Sequence, residues 1–108
     1  MKNQKLNIEI ADSTCSIAEQ VYNTNPKTPN NTRVNTMARI AVSIHLLKLK
    51  VNTVDIAKHL GKHRTSVLHY QKTHPDRMKY DSEYRKLHEL FLQSIENNEY
   101  SVQMSKFL

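Results

Sequence analysis

Residues 52–73 read NTVDIAKHLGKHRTSVLHYQKT, and the one glycine of the chain, Gly61, stands inside this stretch. Asn52 suits a helix N-cap, and Asp55 sets a carboxylate three residues further on, where a helix N-terminus favours it. Val54, Ile56, Ala57 and Leu60 supply a short apolar helix. Gly61 ends it, because glycine takes the left-handed conformation of a C′ position at little cost. A second helix is expected from Lys62 to Thr73, with Val67, Leu68 and Gln71 broadly inward. Arg64, Thr65, Ser66, His69, Lys72 and Thr73 are left to face outward. A short helix, a glycine-bearing turn and a second helix make the pattern of a helix-turn-helix. Pro75 is expected to end or kink the second helix.

Other helices surround this unit in the sequence. Residues 36–49 carry Met37, Ile40, Ala41, Ile44 and Leu47 at helical spacing, and Val42, Leu46 and Leu49 widen the apolar surface beyond one stripe. A helix apolar on two sides belongs at the centre of its domain. Before it, residues 23–35 (NTNPKTPNNTRVN) have the composition of a loop, which carries Lys27 and Arg33. A first helix is expected to start near residues 12–16, with Ser16-x-x-Glu19 as a capping box, and to end near Asn25 ahead of Pro26. A last helix over 82–97 has Tyr84, Leu87, His88, Phe91 and Ile95 on its apolar stripe. The organisation is then an N-terminal arm (1–11), one helical domain (12–97) and a tail (98–108) whose Val102, Met104, Phe107 and Leu108 either fray or dock on a second copy, giving a homodimer. The fold class is all-α. With one Gly in 108 residues and no Asn-Gly, tight hairpin turns are not favoured.

Charge is unevenly placed. Residues 31–80 hold ten Lys or Arg against Asp55 and Asp76, a net +8, while residues 1–30 are neutral and 81–108 net −2. Such concentration is the electrostatic footprint of a polyanionic partner. The outward face of the second helix, rich in Arg, Lys, Thr, Ser and His, can donate to phosphates and to base edges. Double-stranded DNA is therefore the expected partner. The single cysteine, Cys15, excludes an intramolecular disulfide and a cysteine-based zinc site. Nothing approaches a secretory signal or the roughly 18 apolar residues of a membrane span, so a cytoplasmic, nucleoid-associated protein is expected, with no membrane partner.

At residues 38–70, ARIAVSIHLLKLKVNTVDIAKHLGKHRTSVLHY, the chain resembles the C-terminal DNA-binding domain of the bacterial replication initiator DnaA family. Asp55-Ile56-Ala57 lies where that family has E-I-G, and residues 61–70 lie along its signature G-R-D-H-T-T-V-L-H-A. The resemblance covers residues 12–96 and is specific over 38–70. It implies a small Trp-repressor-like helical fold. It also implies base reading in the major groove by Arg64 and Thr65, with His63 standing at a cytosine-reading aspartate of the family and Ser66 and His69 following. Lys62 replaces a basic residue of the family, Thr53 and Val54 lie near positions that pack on the DNA, and Arg33 lies in the loop whose counterpart sends an arginine into the minor groove. Lys50, Lys58, Lys62 and Lys72 are expected to position the backbone.

The departures from the family carry information. A histidine at 63 does not accept as an aspartate does, so the preferred site should differ from the initiator's usual box. The turn is about one residue shorter, and the preceding loop is far less basic. No GxxxxGK[ST] phosphate loop is present, which points to a stand-alone reader of the kind a phage or mobile element uses to regulate replication or transcription. Neither cofactor nor catalysis is expected: Cys15 has no placed partner, and no carboxylate pair is set for acid–base chemistry. His59-x-x-x-His63 is interrupted by Gly61 and lacks further ligands for zinc. The alternatives are a protein-interaction module that keeps the helix-turn-helix as scaffold, and RNA binding, which lacks exposed aromatic platforms.

Overall fold

The computed structural model describes residues 4–107, with side chains described over 8–98. Five helices follow one another, α1 (Gln4–Tyr22), α2 (Arg33–Lys48), α3 (Thr53–Leu60), α4 (Arg64–Tyr80) and α5 (Ser82–Phe107), and the described residues include no strand. The all-α expectation holds. No described helix is long and apolar enough to cross a membrane.

α2 is the central element and packs against each of the other four. Met37, Ala38, Ile40, Ala41, Val42, Ile44 and Leu46 are all buried, so the helix turns apolar surface to neighbours on several sides, as its sequence leads one to expect. Ile17, Ala18 and Tyr22 of α1, Ile56, Ala57 and Leu60 of α3, Val67 and Tyr70 of α4, and Tyr84, Phe91 and Ile95 of α5 complete one core.

Helix ends explain how the short connections are made. Thr32 caps α2, its hydroxyl accepting from the Asn35 N–H at 3.2 Å. At the other end the Val51 N–H donates to the Leu46 carbonyl (3.1 Å) and the Lys50 N–H to the Leu47 carbonyl (3.0 Å), a Schellman closure with buried Val51 and Leu46 as its apolar contact. The left-handed position of that closure is occupied by Lys50, at φ 70°. Gly61 closes α3 in the same way at φ 67°, with Lys62 N–H to Ala57 carbonyl at 2.8 Å.

Four expectations are corrected. α1 begins at Gln4, inside the expected arm, and Ser16 and Glu19 are exposed within the helix and do not cap it. The reason is a buried row, Ala11, Cys15, Ala18 and Tyr22, at helical spacing, which starts a turn earlier than the capping pattern. Arg33 is the first residue of α2 and not a loop residue. α4 starts two residues late, at Arg64, and runs through Pro75 to Tyr80. Pro75 removes the hydrogen bond to the carbonyl of Gln71, but both residues are exposed to solvent, while His74, Arg77 and Met78 around the break are half-buried and hold the helix in place. α5 continues past residue 97 to Phe107. The side chains expected to dock on a second copy lie outside the described residues.

Candidate nucleic-acid interface

The segment from α3 to the first half of α4 gathers most of the expected site residues. α3 starts on Asn52, whose Oδ1 accepts from the Asp55 N–H (2.9 Å) and whose Nδ2 donates to Asp55 Oδ2 (3.0 Å). Ile56, Ala57 and Leu60 go into the core, Thr53 is half-buried, and Val54 and Lys58 are exposed. After the Gly61 turn, Lys62 is half-buried and His63 exposed, and α4 packs on α3. The inward row of α4 is Val67, Tyr70, His74 and Met78, at helical spacing. That phase leaves Arg64, Thr65, His69 and Lys72 exposed and Ser66 half-buried. It also puts Leu68 and Gln71 outside, against expectation, with Tyr70 buried in their stead.

Several donors of this face have nothing to do within the molecule. Among the described residues, the side chains of His63, Arg64, Thr65, His69, Lys72 and Lys58 make no hydrogen bond, ion pair or ring contact. Several other described cations are engaged, although Lys86 of α5 is not. Arg33 places Nη2 2.8 and 3.0 Å from the Asp81 carboxylate and Nε 3.5 Å from Glu83. Arg85 donates to the Met78 carbonyl (3.0 Å), Arg77 lies over the Tyr84 ring, Lys79 over Tyr80, and Lys27 3.2 Å from Asp12. Arg33 therefore ties the start of α2 to the α4–α5 junction and is not a free loop arginine. Asp81 also accepts from the Tyr84 N–H (3.1 Å), and that bond together with Arg33 holds its carboxyl below the usual carboxylate range.

The N-terminus of α4 differs from its counterparts. Thr32 caps α2, Asn52 caps α3 and Asp81 does so for α5, each with a side-chain oxygen. His63, at the N-cap of α4, makes no side-chain capping bond. In the first turn of α4 the Ser66 N–H donates to the His63 carbonyl (2.9 Å), and no side chain caps the positive end of the helix dipole.

One positioning device was not foreseen from the sequence. Arg39 of α2 is 1% exposed, and its guanidinium donates to the carbonyls of Pro26 (3.0 Å), Thr28 and Asn30 and to Asn31 Oδ1 (3.2 Å). The Pro- and Asn-rich loop is thus wrapped round a buried cation that no carboxylate among the described residues neutralises. Asn31 Oδ1 also accepts from Lys62 Nζ at 3.2 Å, which links the loop to the turn before α4. An arginine flanked by Ala38 and Ile40 in an apolar helix was the available sequence signal.

The remaining reactive side chains sit apart from this face. Cys15 is buried, and burial pushes its thiol up to about 11. His59 Nε2 lies 3.1 Å from Asp12 Oδ1 at the α1–α3 contact, and burial lowers its pKa. His63 points into solvent. No group of three His, Cys, Asp or Glu able to hold a metal occurs among the described residues. No family model, curated protein or solved structure matches the chain.

Proposed function

We propose that the chain is a sequence-specific double-stranded DNA-binding protein in which α3, the Gly61 turn and α4 act as a helix-turn-helix. The observation that carries this reading is the outer face of α4. Arg64, Thr65, His69 and Lys72 are exposed there without intramolecular partners, on a helix start that no side chain caps. The DnaA-like pattern of residues 38–70 and the net +8 of residues 31–80 support it. In this mechanism Lys50, Lys58, Lys62 and Lys72 contact phosphates and the first turn of α4 enters the major groove. Arg64 suits the two acceptors of guanine, and the Thr65 methyl suits thymine. Ser66, half-buried, stands at the edge of the reading face. In this reading Arg33, paired with Asp81 and Glu83 at the surface, is left out of the groove. Thr53 and Val54, in the first turn of α3, lie against the backbone. Such a module would regulate replication or transcription at the nucleoid, in the manner of phage and mobile-element regulators.

A second reading, a protein-interaction module, has one observation in its favour. Ile8, Ala11, Leu46, Val51 and Ile56 line an open groove of about 330 Å³ with Asp55, Lys58 and His59 at its rim, and it would accept an apolar side chain. Recovering bound sequences from a random-duplex library at two salt concentrations separates the two. The DNA reading expects a short enriched motif and affinity that falls steeply with salt. Salt-independent absence of duplex binding overturns it in favour of the groove.

A further inference from the structure

On the outer face of α4, Leu68 is 42% exposed. It stands four residues after Arg64, three after Thr65 and four before Lys72, so helical spacing places it in the middle of the cationic row. The core does not need it: Val67 and Tyr70 fill the inward positions beside it and are buried. An aliphatic side chain surrounded by Arg, Thr, His and Lys weakens a purely phosphate-binding surface, because it displaces a possible donor and leaves apolar area in water.

The major groove offers a use for such a side chain. Base edges there present donors and acceptors and a single apolar group, the 5-methyl of thymine. Leu68 lies about 6 Å along the helix from Arg64, close to two base-pair spacings. Resting on the DNA-binding reading above, we infer that Leu68 is a specificity determinant that packs on a thymine 5-methyl, within about two base pairs of the base met by Arg64. The recognised site therefore contains a thymine whose methyl group, and not its hydrogen-bonding edge, is read.

The test uses the full chain and the site recovered from the duplex library. Each thymine is replaced in turn by deoxyuridine, which removes only the methyl. At one position wild type should lose about four- to tenfold in affinity, the effect of a buried methyl. Leu68→Ala should bind the thymine and deoxyuridine duplexes equally at that position, while keeping wild-type affinity for random DNA. Leu68→Lys should bind random DNA more tightly and also ignore the methyl. Because Leu68 is exposed, both variants should keep the wild-type melting temperature. If no deoxyuridine substitution weakens wild type, or if Leu68→Ala retains the full methyl effect, the inference is overturned and the DNA-binding reading stands. If no motif is enriched from the library, both fall together.

Discussion

Arg39 shows how much one residue can organise here. Its guanidinium holds four acceptors of the 26–31 loop from inside the protein, a planar fork that a lysine ammonium cannot reproduce. Arg39→Ala should lower unfolding stability by about 3 kcal/mol or more, since it strips charge-assisted hydrogen bonds and leaves buried carbonyls unpaired. Urea unfolding checks this. Lys50 is the opposite case, a residue whose backbone conformation suits another. At φ 70° it bears a left-handed cost that glycine avoids, so Lys50→Gly should stabilise by about 1 kcal/mol. The same change removes a phosphate contact in the proposed complex, so thermal stability should rise while duplex affinity falls. At the reading face, Arg64→Ala should cost about 1–3 kcal/mol on the preferred site and relax one base position, whereas Lys72→Ala should weaken all duplexes alike. Equal loss for Arg64→Ala on specific and random DNA would remove its base-reading role.

Among the elements, the packing of α4 against α5 holds a titrating cluster. His88 of α5 is 2% exposed and its ring is 4.6 Å from that of His74 and stacked at 6.1 Å on Tyr84. His74 Nδ1 lies 2.6 Å from the Tyr84 hydroxyl. Burial, with His74, Lys48 and His45 facing it, lowers the His88 pKa to about 4. The folded state thus favours neutral His88, and the unfolded chain takes up its proton near the ordinary value of about 6.5. Stability from this group is complete above that value and is lost as pH falls from there toward 4. The loss is on the order of 3 kcal/mol at pH 4. His74, also lowered by burial, adds in the same direction. His88→Phe should flatten the acid limb of the stability–pH curve measured by chemical unfolding, and an unchanged limb would place the titration elsewhere. Tertiary anchoring at this junction also explains Pro75: the half-buried His74, Arg77 and Met78 keep α4 running where local propensity would stop it.

At the scale of the whole molecule, some described cations, such as Arg33, Arg39 and Arg85, are engaged within the fold, while Lys50, Lys58, Arg64 and Lys72 have no partner there. If Lys50, Lys58, Lys62 and Lys72 each neutralise one phosphate, log affinity should fall with log salt at a slope of about −4, measured by fluorescence anisotropy on a labelled duplex. A slope near zero would dissociate these residues from phosphate binding. How far the architecture is legible in the sequence follows the range of the forces. The all-α class, the central place of α2, and the Asn52 start and Gly61 stop of α3 rest on periodicity and on caps made between residues a few positions apart, so one stretch of chain determines them. The rest was decided across elements. The buried row of α1 carried that helix back into the expected arm, and α5 carried α4 past its proline. Asp81 and Glu83 paired with Arg33, Arg39 was committed to the loop, and the phase of α4 turned Leu68 outward. Each of these depends on which surface another helix covers, and burial against a distant partner outweighs the local preferences that a sequence displays.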